Sequence, residues 1–356
     1  MTERYEKIKD IGRGGYGSAM LARSLVNQKL YVIKKIGLAK NQATVGDKTR
    51  IFVTIILLWA VFFLQDEKRW VDEIKILQAC KHVNVVRYKE CFFSTDLEQL
   101  NNLHCTNFFI NIVMEYADAG DLHACIKRQK NEVKSLFPES QVRNWLVQLA
   151  LSLQYLHKMR VMHRDIKSAN VFMTSSKLLK LGDFGVSKVL SPGSDFASTC
   201  IGTPHNVCPE IVNSQPYDFK SDIWSLGCVV YEVCSLKLPF YSNNLPESFA
   251  KIRDGVYAPI PTAYSEILRD LIRIMLKVDP KRRPTAYQLL TSQALKEDLE
   301  IYMDHVKKLP QSASISSDSG EFGATTRSSC SSRGSGGDAS SSGVFSLQES
   351  SNNSAA

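Results

Sequence analysis

No C-x-x-C pair, no sustained heptad and no internal repeat occurs anywhere in the 356 residues. The nine cysteines (Cys80, Cys91, Cys105, Cys125, Cys200, Cys208, Cys228, Cys234 and Cys330) are dispersed and odd in number. That usage argues against a disulfide framework and for reduced thiols in an intracellular compartment. The start, Met1-Thr2-Glu3-Arg4-Tyr5-Glu6-Lys7, lacks the apolar stretch of a signal peptide, and Thr at position 2 excludes N-myristoylation. A cytoplasmic location is expected, with a nuclear or cytoskeleton-associated one also open. Lys and Arg total 44 against 36 Asp and Glu, a net charge of +8, but they are scattered along the chain. Scattered charge reads as a solvated basic surface, so no nucleic-acid partner is expected. Large apolar residues become scarce after Leu309-Pro310, where Ser, Gly and Asn take over. Such a stretch cannot bury enough surface to offset its ordering entropy, and residues 309–356 are expected to form a disordered tail.

What remains, in a chain that is 44% hydrophobic, can bury a large core. Residues 5–36 read as strands around a Gly-rich turn, and 66–81 as a helix. Val85-Val86-Arg87-Tyr88 and Ile110-Asn111-Ile112-Val113-Met114 read as strands. From Pro138 onward helical periodicity dominates, at 139–158 (Trp145, Leu149, Leu153, Leu156), 220–236, 247–253, 264–276 and 285–291. Two polar strings stand out in the helical half: His163-Arg164-Asp165-Ile166-Lys167-Ser168-Ala169-Asn170, then Asp183-Phe184-Gly185. Upstream, Ile11-Gly12-Arg13-Gly14-Gly15-Tyr16-Gly17-Ser18-Ala19 contains G-x-G-x-x-G. Alone that motif is weak, because dinucleotide-binding turns share it. A dinucleotide unit would open a helix there. This chain instead runs through Met20-Leu21-Ala22 into Leu30-Tyr31-Val32-Ile33-Lys34, a second strand ending in Lys. Glycines at such a turn let the backbone approach phosphate oxygens without a Cβ in the way.

Taken together, these strings resemble the eukaryotic protein kinases over residues 5–296, with H-R-D-x-x-x-x-N as the catalytic loop and D-F-G as the metal-binding triplet. The resemblance implies an α+β, bilobal fold. A small β-rich N-lobe with one main helix would span 5–116, and a larger, mostly α-helical C-lobe 117–296. It implies transfer of the γ-phosphate of ATP, with Mg2+, to Ser or Thr hydroxyls of protein substrates. Asp165 would orient the attacking hydroxyl and accept its proton, Lys167 would stabilise transition-state charge, and Asn170 and Asp183 would hold magnesium. Lys34 would pair with the α- and β-phosphates. Its expected carboxylate partner is Glu73, ahead of Asp72 and Glu67. Ile11, Gly12, Gly14, Gly17, Ala19 and Val32 would line the nucleotide. Met114 would be the gatekeeper, and the backbones of Glu115 and Ala117 would bond adenine. Ala stands at 19 where the family usually has Val, and Val at 32 where it usually has Ala. The exchange roughly conserves volume in the adenine slot.

Lys167 and Gly202-Thr203-Pro204, before Cys208-Pro209-Glu210, resemble the Ser/Thr class. Tyr31-Val32-Ile33-Lys34-Lys35-Ile36, Gly182-Asp183-Phe184-Gly185-Val186-Ser187-Lys188 and Ala258-Pro259-Ile260-Pro261-Thr262-Ala263-Tyr264-Ser265 resemble the NIMA-related kinases. The resemblance further implies that Asp222 braces the catalytic loop and that Arg283 pairs with Glu210. It makes Thr199 the candidate activation-loop phosphosite, with Ser198 as its rival. The competing reading from another class is a pseudokinase scaffold.

One stretch does not fit. Residues 51–64 are almost wholly apolar, and 39 positions separate Lys34 from Glu73, about double the family's spacing. The run is shorter than the ~20 residues a spanning helix needs, and an anchor there would pull apart the strand and helix that form the ion pair. Three readings of the segment at about 45–65 are open: a gene-model artefact such as translated intron, a genuine insert packing on the lobe or a partner, and, least favoured, a membrane contact. The oligomeric state is left open.

Overall fold

The computed structural model describes residues 4–14, 17–38, 79–95, 108–183 and 206–309. Five strands form one antiparallel sheet: β1 (Tyr5–Gly14), β2 (Gly17–Ser24), β3 (Leu30–Leu38), β4 (Tyr88–Thr95) and β5 (Phe108–Glu115), in the order β1-β2-β3-β5-β4. Alternation divides the side chains between two faces. Tyr5, Ala22, Ile33 and Val113 make a small cluster on one face, with Met20, Tyr31 and Phe92 against it. The other face carries Val32, Ile112 and Met114 into the main core. Ala19 lies opposite Lys34, and Val32 opposite both Leu21 and Met114. Ala19, Val32 and Lys34 therefore share one face, as the nucleotide reading requires.

Eight α-helices follow among the described residues: α1 (Leu122–Arg128), α2 (Glu139–Lys158), α3 (Pro209–Val212), α4 (Phe219–Ser235), α5 (Leu245–Asp254), α6 (Glu266–Met275), α7 (Ala286–Leu290) and α8 (Lys296–Lys307). A short hairpin of β6 (Val171–Met173) and β7 (Leu179–Leu181) follows the catalytic loop. In α2, Val142, Trp145, Leu146, Leu149, Leu153 and Leu156 are buried, one stripe at helical spacing. α4 is apolar nearly all round and correspondingly central: its buried residues run without a break from Ser221 to Cys234. Asp218 and Ser221 close its N-terminus with a reciprocal capping box. Trp224 stacks on Phe240 with ring centroids 5.1 Å apart.

The expected strand at 85–88 is corrected. The strand begins at Tyr88, and Val85 makes only an isolated bridge to Leu181. The Val86 N–H donates to Leu181 O, and the Leu181 N–H to Asn84 O, both at 2.8 Å. This segment is therefore tied to β7 before it joins the sheet. α1, α3 and α8 lie outside the helices expected from the sequence. The apolar positions of α8 (Leu299, Tyr302, Val306) are sparse among charges but correctly spaced, and Arg143 of α2 grips Asp298 at 2.6 Å. The expected helix at 66–81 is described only from Ala79, and both the 45–65 segment and the tail from 310 lie outside the described residues.

His82, beside this junction, stacks on Tyr155 with centroids 5.1 Å apart, and its Nδ1 accepts the Asn84 N–H at 3.1 Å. Burial, aided by Lys180, lowers its pKa from the ordinary 6.5 to about 4. The unfolded chain protonates at the higher value. The stability contributed by neutral His82 is thus full above pH 6.5 and is lost as pH falls toward 4. The upper bound is on the order of 3 kcal/mol, reduced by the ring's partial exposure. His82→Asn keeps an acceptor and removes the titration. Urea midpoints of parent and variant should therefore converge as pH drops from 6.5 to 4. Parallel curves would assign the acid loss to other groups.

Candidate active site

The loop between α2 and β6 carries the string from His163 to Asn170, and buried contacts hold it from below. Asp222, fully buried in α4, accepts the His163 N–H at 3.0 Å on Oδ2 and the Arg164 N–H at 3.1 Å on Oδ1. His157 Nε2 lies 2.9 Å from the same carboxylate, and the Tyr217 hydroxyl also donates to it. Burial opposes ionisation of Asp222, but the hydrogen bond and charge of His157 outweigh it and hold its carboxyl below the usual range. Arg164 takes a left-handed backbone at φ +67 and Asp183 one at φ +56, conformations costly for side-chain-bearing residues and concentrated at working sites.

Above this brace Asp165, Lys167, Asn170, Asp183 and Lys34 come together. Lys167 Nζ reaches Asp165 Oδ2 at 2.9 Å. Asn170 Nδ2 donates to the same oxygen at 3.0 Å and to the Asp165 carbonyl at 2.7 Å. The Asn170 carbonyl accepts the Gly182 N–H at 3.0 Å, and His163 Nε2 faces Gly182 O at 3.0 Å. The two sequence strings are thereby bonded into one constellation. Lys34, reaching in from the sheet, pairs directly with Asp183. Glu73, Thr199 and Ser198 lie outside the described residues.

On the sheet side, the glycines of the turn differ in what the fold asks of them. Gly14 and Gly17 are register partners where β1 passes into β2. Gly17 has φ +151, and a Cβ there would stand 2.0 Å from the Lys35 carbonyl oxygen. Gly12 has no neighbour within 4 Å of the equivalent point. Gly17 is thus demanded by the fold itself, Gly12 only by whatever occupies the site. Gly17→Ala should therefore raise the KM for ATP about tenfold through loop strain and also lower the melting temperature. Gly12→Ala should leave the melting temperature unchanged; calorimetry with ATP titration separates the two, and equal melting temperatures would refute the distinction. Met114 is buried at the end of β5. Glu115 accepts the Arg87 N–H at 2.7 Å and pairs with Lys180 at 2.9 Å, fixing the connector to the helical part.

Sequence reasoning found Asp222 but not its supports His157 and Tyr217, which carry no local pattern of their own. It found the partnership of Arg283 with Glu210, which the structure shows as a two-pronged buried pair at 2.7 and 2.8 Å. Asn84, Gln148 and Tyr302, a buried polar trio beside β7, escaped it altogether.

An antiparallel five-stranded sheet over a helical body, with an Asp-Lys-Asn loop bonded to the segment that carries a second aspartate, defines a protein kinase catalytic domain. The chain belongs to that family: it matches the protein kinase domain over residues 5–295. It is similar to the serine/threonine-protein kinase Nek3 of Mus musculus, 38% identical over 293 residues that cover 82% of this chain and 50% of the relative. Nek5 of Homo sapiens is 37% identical over 302 residues, 85% of this chain and 38% of that protein. Nek1 of Mus musculus is 36% identical over 301 residues, 85% and 22%. The chain thus carries a Nek-related kinase domain of the Ser/Thr type and spans from under a quarter to half of the length of these relatives. A kinase domain uses ATP. No helix among the described residues is long and apolar enough to cross a membrane.

Proposed function

We propose that the chain transfers the γ-phosphate of MgATP to serine or threonine hydroxyls of protein substrates. The observation that carries this reading is the Asp165 carboxylate, held by Lys167 and Asn170 on a loop fixed through Asp222. Phosphoryl transfer asks the protein for positioning and charge, and this arrangement supplies both. Asp165 orients the attacking hydroxyl and takes its proton, while Lys167 balances charge on the transferred group. Lys34 anchors the α- and β-phosphates, with Glu73 as its carboxylate partner. Ile11, exposed at 42%, and Ala19, Val32 and Met114 enclose the adenine. The backbones of Glu115 and Ala117 bond its edge. Asn170 and Asp183 fit magnesium by the chemistry of their donors: the Asn170 Nδ2 is spent on Asp165, so its amide oxygen is the atom that would ligate, and Asp183 has a second carboxylate oxygen beside the one on Lys34. Two protein oxygens completed by phosphates and water is the manner in which Mg2+ is held at such sites. When bound, the ion screens the triphosphate charge. Phosphate on Thr199 would draw in Arg164 and order the activation segment. The free thiols of the described cysteines support a reducing, cytoplasmic or nuclear setting.

The test is radiolabel transfer from γ-labelled MgATP to a generic protein acceptor, followed by phosphoamino-acid analysis. Label on serine or threonine supports the reading. Nucleotide binding with no transfer would make the chain a scaffold instead.

A further inference from the structure

The matched kinase domain ends at residue 295, and the chain continues as α8. Tyr302 in α8 is 1% exposed, and its hydroxyl donates to Asn84 Oδ1 at 2.9 Å, across 218 positions of sequence. Asn84 is fully buried. Its Nδ2 donates to Gln148 Oε1 of α2 and to the Leu179 carbonyl, both at 2.9 Å. A backbone carbonyl can only accept, so the amide must point its nitrogen that way and its oxygen toward Tyr302. Gln148 Oε1 also receives the Leu179 N–H at 2.7 Å. Tyr302 supplies the side-chain donor that completes Asn84.

From Asn84 the network runs to the metal-binding triplet. The Asn84 carbonyl accepts the Leu181 N–H, and the Leu181 carbonyl the Val86 N–H, each at 2.8 Å. Val86 closes so tightly on the next residue that a Cβ on Gly182 would lie 2.4 Å from its Cγ2. Asp183 follows at once. The backbone entering Asp183 is therefore held from two sides. The catalytic loop holds it through Asn170 and His163, and residues 84–86 hold it from the other side.

We propose that Tyr302 is a positioning residue for phosphoryl transfer: its hydroxyl, from a helix beyond the matched domain, fixes Asn84 and so the approach of β7 to Asp183. The proposal rests on the reading of Asp183 as the metal-holding carboxylate. Tyr302→Phe keeps the ring and its volume and leaves a buried acceptor unpaired, which is costly because water cannot replace the lost donor. Asp298→Asn is the control. It weakens the grip of Arg143 on the other end of α8 without touching Asn84.

The experiment uses the full chain as parent, Tyr302→Phe and Asp298→Asn, each held well below its own melting temperature. Amide hydrogen exchange is read at Val86 and Leu181, together with the Mg2+ concentration for half-maximal transfer and the KM for the acceptor protein. Tyr302→Phe should speed exchange at both amides about tenfold and raise the Mg2+ requirement severalfold, with the acceptor KM unchanged. Asp298→Asn should lower the melting temperature alone. A folded Tyr302→Phe variant with parental exchange and Mg2+ dependence overturns the proposal. So does Asp298→Asn shifting both readouts equally, which would make Tyr302 one packing contact among many. Should the parent transfer no phosphate, the kinase reading fails, while the exchange arm still decides whether Tyr302 holds β7.

Discussion

Asp165→Asn is expected to lower kcat by about 10³–10⁴-fold, the upper part of the roughly 10²–10⁴ that a general base contributes, while the KM for ATP stays within about twofold. That is ~4–5.5 kcal/mol of transition-state stabilisation at 1.36 kcal/mol per decade. The split between kcat and KM follows from geometry. Asp165 contacts Lys167 and Asn170, while Lys34, proposed above as the phosphate anchor, engages Asp183 instead. An amide at 165 still offers one oxygen to Lys167 and Asn170, so the loop keeps its shape and the melting temperature should hardly move. Single-turnover transfer measured with saturating MgATP reads the chemical step directly. A variant retaining more than a tenth of parental kcat would remove Asp165 from the role of base.

The depth to which the sequence was legible differed by element, for physical reasons. α2 was read to its ends, residues 139–158, because a long amphipathic helix repeats its signal at Trp145, Leu149, Leu153 and Leu156. The strand carrying Lys34 was legible from the run Leu30-Tyr31-Val32-Ile33, but its end was not: β3 continues past Lys34 to Leu38, paired with β2 and β5. Val85 to Tyr88 misled because β-branched residues report a pleated, half-buried setting and not which partner supplies the ladder; part of the run bonds to β7.

The trio Asn84, Gln148 and Tyr302 was illegible for a different reason. Its members are polar residues from three remote segments, and each looks locally like an ordinary surface residue. Only the fold reveals that all three are buried and matched. Gly17 shows a subtler limit. The sequence reading assigned the glycines to the approach of phosphate, yet at this position the obstacle is the chain's own Lys35 carbonyl. Motif logic gives a ligand-based reason for the glycine, whereas the backbone geometry requires it independently of any ligand.

Arg283→Ala should destabilise the domain by about 3–5 kcal/mol, the cost of leaving a buried charge without its partner. Arg283 is 1% exposed and every guanidinium nitrogen is engaged. Nε donates to Lys277 O, Nη1 to Glu210 Oε1 and Lys220 O, and Nη2 to Glu210 Oε2 and Val278 O. The guanidinium also lies 5.0 Å from the centre of the Trp224 ring. For a domain of this size the loss corresponds to roughly 10 °C in melting temperature. The pH dependence carries the sharper signature. Burial alone would raise the Glu210 carboxyl, but hydrogen bonds and charge from Arg283 bring it below its ordinary 4.5. In the parent, this stabilisation is present above pH 4.5 and is lost as pH falls through the depressed value. Without Arg283 burial dominates, the carboxyl rises and protonates readily, and the variant is penalised most near neutrality. The gap between parent and variant should therefore narrow on acidification. Activity should follow, because the segment carrying Glu210 also bears Asn206, whose side chain donates to the Ile166 carbonyl beside Asp165. Glu210→Leu added to Arg283→Met should recover much of the stability, since an apolar pair leaves no orphaned charge. A melting-temperature gap that stays constant from pH 7 to pH 4 would show that Arg283 contributes by packing against Trp224 and not by holding Glu210 ionised.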